Sequence, residues 1–167
     1  MKKIFLGFMA AMLVCMALCA GASAKTVEND FYAALQATNG SIKLENDFVY
    51  EKAMEVNHKL TIDLNGYVLT IPKSICVNSG AHLTIKDSGS NATHKFKPNG
   101  DGLWVLNENG TKSVTGGVIT GGTGYPIQFG SGAHAYTAYY GGAVYIKSGG
   151  KLTMEGGNIV GCSAVYG

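Results

Sequence analysis

A glycine-rich segment late in the chain carries the side chains best suited to contact a ligand. Residues 121–142, which read GGTGYPIQFGSGAHAYTAYYGG, interleave aromatic rings with glycine. Exposed tyrosine rings favour interfaces and can stack on sugar rings, so the segment predicts a site for a glycan or for a protein on a host or cell surface. The alternative is that these rings pack as a lid. The candidate ligand-binding residues are Tyr125, His134, Tyr136, Tyr139 and Tyr140.

Carboxylates are the second group of side chains that could do chemistry. Hydrolysis of a glycosidic bond needs two carboxyl groups at a set separation, and the aspartates beyond residue 24 form no clustered motif. Asp63 and Asp87 could approach each other on neighbouring strands, but Lys86 is the expected partner of Asp63. The acids therefore predict a solvated face, and no residue is assigned a catalytic role. These aspartates are Asp30, Asp47, Asp63, Asp87 and Asp101.

Histidine and cysteine do not predict a metal site. Cys76 and Cys162 stand 86 residues apart. One such pair makes no disulfide framework, and we expect two small buried hydrophobes instead. The histidines have no His or Cys partner at ligand spacing, so the sequence predicts no metal and no cofactor. They are His58, His82, His94 and His134.

The first 24 residues have the order of a secretory signal peptide. Two lysines precede an apolar run that ends in Ala22-Ser23-Ala24, before a polar continuation. This order predicts cleavage after Ala24 and a protein that is secreted or held at the cell surface. The rival interpretation is a retained membrane anchor, because the run is nearly as long as a membrane span of roughly 20 residues.

Charge excludes one class of partner. After cleavage 11 lysines face 11 acids, since two of the 13 basic residues leave with residues 1–24, and arginine is absent. Nucleic-acid binding needs a basic footprint, so it is excluded, and no membrane contact is expected once the signal is removed.

The remaining chain has two parts. Residues 25–40 predict a short capping helix, at 27–38, whose apolar stripe holds Phe31, Ala34 and Leu35. From residue 41 to 167 short alternating segments, rich in β-branched residues and ended by Asn, Ser or Gly, predict strands and turns. Two polar or glycine-rich stretches, near 88–102 and 121–142, predict loops.

Internal repeats indicate how these strands are arranged. Leu-Thr-Ile at 60–62 recurs at 83–85 and as Leu-Thr-Met at 152–154, while GGVITG at 116–121 recurs as GGNIVG at 156–161. Ala-Val-Tyr at 143–145 recurs 21 residues later. A unit of roughly 20 to 23 residues, with insertions, explains these offsets; 69, from 83 to 152, is three times 23. Units this short must stack on neighbours, which predicts a parallel β-solenoid with glycine at its corners.

The repeated motifs resemble a known family. LTIDLNGYVLT, VNSGAHLTIKDSG and GGAVYIKSGGKLTMEGGNIVGCSA are similar to the right-handed parallel β-helix proteins of the pectin-lyase-like superfamily, and more narrowly to secreted or surface-attached bacterial repeat proteins. The resemblance covers roughly residues 27–167, apart from the two loops. It implies an all-β, right-handed parallel β-helix behind a short capping helix. Cys162 departs from the pattern, because such rungs usually have asparagine there.

The resemblance leaves three functions open. Lyases of the superfamily use calcium-binding aspartates with an arginine or lysine base, and its hydrolases use grouped aspartates with Gly-His-Gly; this chain lacks these motifs. The favoured hypothesis is therefore a non-catalytic extracellular module for adhesion or glycan contact. The alternatives are a polysaccharide lyase or hydrolase whose active site lies outside this sequence, and a structural stalk. The C-terminal end is expected to be open and covered by further rungs or another chain.

Overall fold

The computed structural model describes residues 29–89 and 91–166. The predicted signal peptide, residues 1–24, lies outside the described residues. So do residues 27 and 28 of the predicted capping helix. The described chain begins with a helix, α1, at residues 29–36. Its buried side chains are Phe31, Ala34 and Leu35, which confirms the predicted apolar stripe.

Strands are the main secondary structure of the described residues and helix is scarce, which confirms the predicted all-β class. Eleven of them form three parallel sheets. The first sheet contains β1 (Asn39–Lys43), β4 (Lys59–Asp63), β7 (His82–Lys86) and β15 (Lys151–Met154), in that order. The second contains β2 (Phe48–Val49), β5 (Val68–Thr70), β11 (Val118–Thr120) and β16 (Asn158–Val160). The third contains β3 (Met54–Val56), β6 (Ile75–Val77) and β14 (Val144–Ile146).

The chain passes through these sheets in a fixed order. Each of the first three passes contributes one strand to the first, the second and then the third sheet, and a fourth pass contributes β15 and β16. Neighbouring strands are aligned in parallel register, and apolar residues alternate inward. The inner rows of all three sheets belong to one buried cluster. Its largest members from the sheets include Met54, Ile62, Leu69, Ile75, Leu83, Ile85 and Ile119.

Strand register confirms the main repeats and corrects their interpretation. Leu83 is aligned with Leu60 on one side and with Leu152 on the other. The offset of 69 residues is therefore one step between adjacent strands, interrupted by insertions, and not three units of 23. The Ala-Val-Tyr repeat is not aligned in this way. Tyr166 forms a parallel bridge with Tyr140 and not with Tyr145, the matching residue of the repeat.

Glycine provides the sharp turns before the strands of the first sheet. Gly80 and Gly149 precede β7 and β15 and have φ of 77° and 82°. Residues with a side chain rarely adopt such positive φ values, whereas glycine does so without steric cost. These residues lie between strands, as the repeat pattern predicts.

The two stretches predicted as loops contain antiparallel strands. The first insertion holds β8 (Thr93–Pro98), β9 (Trp104–Leu106) and β10 (Lys112–Thr115), with β8 in the centre. The second holds a hairpin of β12 (Tyr125–Phe129) and β13 (Tyr136–Tyr140), joined through a 3-10 turn at Gly132–His134. Frequent Gly, Asn and Ser interrupt the alternation of apolar and polar residues in these strands. The strands that pair with β8, namely β9 and β10, lie beyond the predicted loop near 88–102.

The first insertion covers the outer face of the second sheet. Phe96 of β8 is fully buried in a small cluster with Val68 and Val118, whose side chains point away from the main core. Both faces of the second sheet are therefore shielded from solvent at this point. Every residue of its inner strand β11 is buried.

We predict that Phe96→Ala destabilises the protein by about 3–5 kcal/mol, because it leaves a cavity over the second sheet. Urea unfolding followed by circular dichroism measures this cost. Leu106→Ala on the neighbouring strand is the matched control, since Leu106 is 43% exposed. Equal, small costs for both variants would contradict the packing of this insertion on the sheet.

Candidate functional site

The five predicted binding residues all lie on the second insertion. Tyr125 begins β12, His134 lies in the 3-10 turn, and the other three tyrosines are on β13. Pairing places Tyr125 opposite Tyr140, and Phe129 opposite Tyr136. Because side chains alternate along a strand, these four rings share one face of the hairpin, while Tyr139 points to the other.

The shared face forms an aromatic cluster that reaches beyond the hairpin. Tyr125 stacks on Tyr145 of β14, with 5.3 Å between ring centroids and 4° between ring planes. Phe129 stacks on Tyr136 at 5.4 Å and 17°. These separations lie in the favourable range for aromatic pairs. We name the aromatic cluster as Tyr125, Phe129, Tyr136, Tyr140, Tyr145 and Tyr166.

The inner end of the cluster anchors the hairpin to the third sheet. The Tyr125 hydroxyl donates a hydrogen bond of 3.0 Å to Oε1 of Glu55 on β3, and Lys147 Nζ lies 5.4 Å from the Tyr125 ring centroid. Burial raises the pKa of Tyr125, and the bond to the Glu55 carboxylate raises it further. The hydroxyl therefore stays protonated at neutral pH and remains a donor.

Cys76 lies in the row of the third sheet beside this anchor. Strand register aligns it with Glu55 on one side and Tyr145 on the other, and it is fully buried. Burial raises the pKa of the Cys76 thiol, so it stays protonated and unreactive. This confirms the expectation of a small buried residue for Cys76. For Cys162 the expectation is wrong, because this residue follows the edge strand β16 and is only half-buried; both thiols are free.

The outer end of the hairpin is open to solvent. Tyr136 is 60% exposed and His134 is exposed, while Tyr139, nearer the inner end and on the opposite face, is 42% exposed. Tyr140 is half-buried between the rings of Tyr145 and Tyr166. The predicted residues thus divide into two that pack, Tyr125 and Tyr140, and three that reach solvent.

Sequence reasoning left out four residues that belong to this arrangement. Phe129 had a local signal, because it lies within the aromatic segment itself. Tyr145 and Tyr166 had a weaker one, as the last residues of the repeated Ala-Val-Tyr motif. Glu55 had none, since it is 70 residues away from the tyrosine that it contacts.

The aspartates considered for catalysis hold the chain at a corner between the first and second sheets. Asp87 Oδ1 accepts a hydrogen bond from the Gly66 amide at 2.6 Å, and its Oδ2 accepts one from the Gly117 amide at 2.6 Å. Asp63 Oδ1 accepts from the amides of Asn65 and Ser88, at 3.0 and 2.9 Å. The expectation of a solvated face is therefore wrong for Asp63, which is 4% exposed.

The predicted pairing of Asp63 with Lys86 is confirmed. The two residues are aligned across β4 and β7, and Lys86 Nζ lies 4.0 Å from Asp63 Oδ2. Burial alone would raise the pKa of Asp63. The hydrogen bonds from Ser88 and Asn65, together with the Lys86 ammonium, instead hold the pKa below its ordinary value.

Within residues 29–89 and 91–166, no group of three or more His, Cys, Asp or Glu side chains is placed to hold a metal ion. The same part of the chain contains no helix with the length and apolar character of a membrane span.

Comparison with known proteins gives no match: no protein-family model, curated protein or solved structure matches this chain.

We predict that Asp63→Asn destabilises the protein by about 1–2 kcal/mol at pH 7, because the amide oxygen accepts the same backbone hydrogen bonds without the negative charge that strengthens them and that attracts Lys86. A lowered native pKa stabilises the fold above the ordinary value of 3.8, and this contribution disappears as pH falls through the native value. The stability gap between wild type and variant should therefore be fully present above about pH 5 and close as the pH falls below the ordinary value of 3.8. Urea unfolding across this range measures it, with Asp101→Asn in an exposed turn as the control.

A second prediction concerns the hairpin anchor. Tyr125→Phe keeps the stack on Tyr145 but removes the hydrogen bond to Glu55, and we expect a loss of about 1 kcal/mol in unfolding free energy. Tyr139→Phe is the matched control, because Tyr139 lies on the opposite face of the hairpin. If both variants unfold at the same urea concentration as wild type, Tyr125 does not anchor the hairpin through its hydroxyl.

Proposed function

We propose that the three parallel sheets are the faces of a right-handed parallel β-helix of the pectin-lyase-like type. Support comes from the fixed order in which the chain passes through the sheets and from the in-register rows of leucine and isoleucine. On this proposal α1 covers the first turn of the helix, as capping elements do in solenoids. The two antiparallel insertions are then excursions from a regular scaffold.

We further propose that the protein is a non-catalytic module, secreted or held at the cell surface, that binds a glycan through the outer end of the aromatic cluster. One observation carries this proposal: Tyr136 is stacked on Phe129 yet remains 60% exposed. Contiguous exposed apolar surface often marks an interaction site, and tyrosine is enriched at interfaces. The stacked pair offers a flat apolar surface, which suits the apolar face of a sugar ring.

Anchoring of the hairpin supports binding by a preorganised surface. Tyr125 and Tyr140 hold the inner half of the hairpin against Tyr145, so the outer rings lose little conformational freedom when a ligand binds. The corner aspartates favour binding over cleavage. Asp63 and Asp87 are engaged with backbone amides and are thus poorly suited to donate or accept protons for a substrate.

The far edges of the parallel sheets support the proposed further partner, either additional rungs or another chain. Inward-facing residues of the edge strands are exposed: Ile146 by 43%, Met154 by 43% and Ile159 by 39%. The residues aligned with them one strand earlier are fully buried, namely Val77, Ile85 and Ile119. Pairing of further strands here would bury apolar side chains and satisfy the open backbone edges.

A glycan array probed with the intact protein and two variants tests the proposed function. Tyr136→Ala removes the exposed half of the stacked pair, and we expect binding to weaken by at least about tenfold. Tyr139→Ala removes another tyrosine ring, from the opposite face of the same strand, and this variant should bind the glycan as wild type does. Failure of the intact protein to bind any glycan would remove the proposal, and equal losses in both variants would remove the assigned face.

A further inference from the structure

A concave surface lies beside α1, apart from the outer end of the hairpin. This open groove has a volume of about 190 Å³ and lies between the helix and the start of the third sheet. We call it the helix groove. The side chains that matter for its chemistry are Tyr32, Gln36, Tyr50, Lys52, Glu55 and Asn57.

One wall of the helix groove is aromatic. The rings of Tyr32 and Tyr50 are 6.4 Å apart and tilted by 48°. Tyr50 is buried, whereas Tyr32 is 37% exposed. Lys52 fixes the exposed ring, since its Nζ lies 4.4 Å from the Tyr32 centroid and also donates a hydrogen bond to the Tyr32 hydroxyl. The wall therefore offers an oriented ring edge and hydroxyl to a ligand.

The floor of the groove consists of oriented polar groups. Asn78 Nδ2 donates to Asn57 Oδ1 at 2.6 Å and to Glu55 Oε2 at 3.3 Å. These bonds hold both planar side chains in place but leave the Asn57 amide hydrogens and further carboxylate lone pairs available. Gln36 on α1 is exposed and adds a third planar group. Such groups can accept from and donate to adjacent hydroxyls of one ligand.

The charges of the groove favour an uncharged ligand. Lys52 and Glu55 are the charged side chains of the lining, and their formal charges cancel. The Lys52 ammonium is engaged with Tyr32, while the Glu55 carboxylate accepts from the neutral donors Tyr125 and Asn78. A ligand carboxylate or sulfate would meet the Glu55 charge, whereas a hydroxyl can donate to it.

We propose that the helix groove binds one uncharged sugar ring, so that the ligand of this protein is a neutral oligosaccharide with a second contact point. This inference rests on the proposed glycan-binding function. Glu55 belongs to both regions, because it lines the groove and accepts the hydrogen bond from Tyr125 of the aromatic cluster. Glu55 thus connects the helix groove to the inner end of the aromatic cluster, whose outer end carries the first contact point.

The test uses the full chain and two matched probe sets, neutral hexose tetrasaccharides and uronic-acid tetrasaccharides, with isothermal titration calorimetry as the readout. We expect a neutral tetrasaccharide to bind and the matched uronic acid to bind at least about tenfold more weakly. Asn57→Ala and Gln36→Ala should each weaken binding by about five- to tenfold. Asn109→Ala, in an exposed turn of the first insertion, is the control and should bind as wild type does.

The outcomes separate this inference from the proposed function. If Tyr136→Ala weakens binding while Gln36→Ala and Asn57→Ala have no effect, the helix groove is overturned and the glycan-binding function stands. Tighter binding of the uronic acid overturns the assigned ligand class. Absence of binding by the intact chain overturns both. Gln36 is exposed on the helix surface, so its variant keeps the test valid even if Asn57→Ala disturbs folding.

Discussion

In-register stacking of apolar side chains between neighbouring strands is the interaction on which the rest of this structure depends. Leu60, Leu83 and Leu152 form one inward row in the first sheet, and equivalent rows in the other two sheets meet them in a common core. A single pass of about 20 residues cannot bury its own apolar face, so each pass is stable only against its neighbours. The corners and the insertions are secondary to this rule.

The regular scaffold tolerates insertions because they leave from turns and return to the next strand in register. Forty residues separate Val118 from Asn158, yet the two are direct neighbours in the second sheet. The inserted hairpin uses the third sheet as its support, through the stack of Tyr125 on Tyr145. A rigid sheet beneath a short hairpin is an arrangement that keeps exposed rings in one orientation, as the proposed binding surface requires.

Polar groups have a structural task at the corners and a different one on the outer faces. Asp63 and Asp87 satisfy amides that no strand partner can reach, so their charge contributes to the fold. Glu55 and Asn57 are on the surface, where hydrogen bonds orient them without burying them. The distinction decides which carboxylates are available to a ligand, and residue type alone does not reveal it.

The sequence alone determined the strand-rich class, the stripe of α1 and the alignment of the Leu-Thr-Ile repeats, because these depend on local alternation and on motifs that recur. It also located the tyrosines of the hairpin. Tertiary structure decided that 69 residues span one step, that Tyr125 packs while Tyr136 is exposed, and that Asp63 is buried. Each of these depends on partners far along the chain, such as Glu55 for Tyr125, and no local pattern specifies which distant residues come into contact.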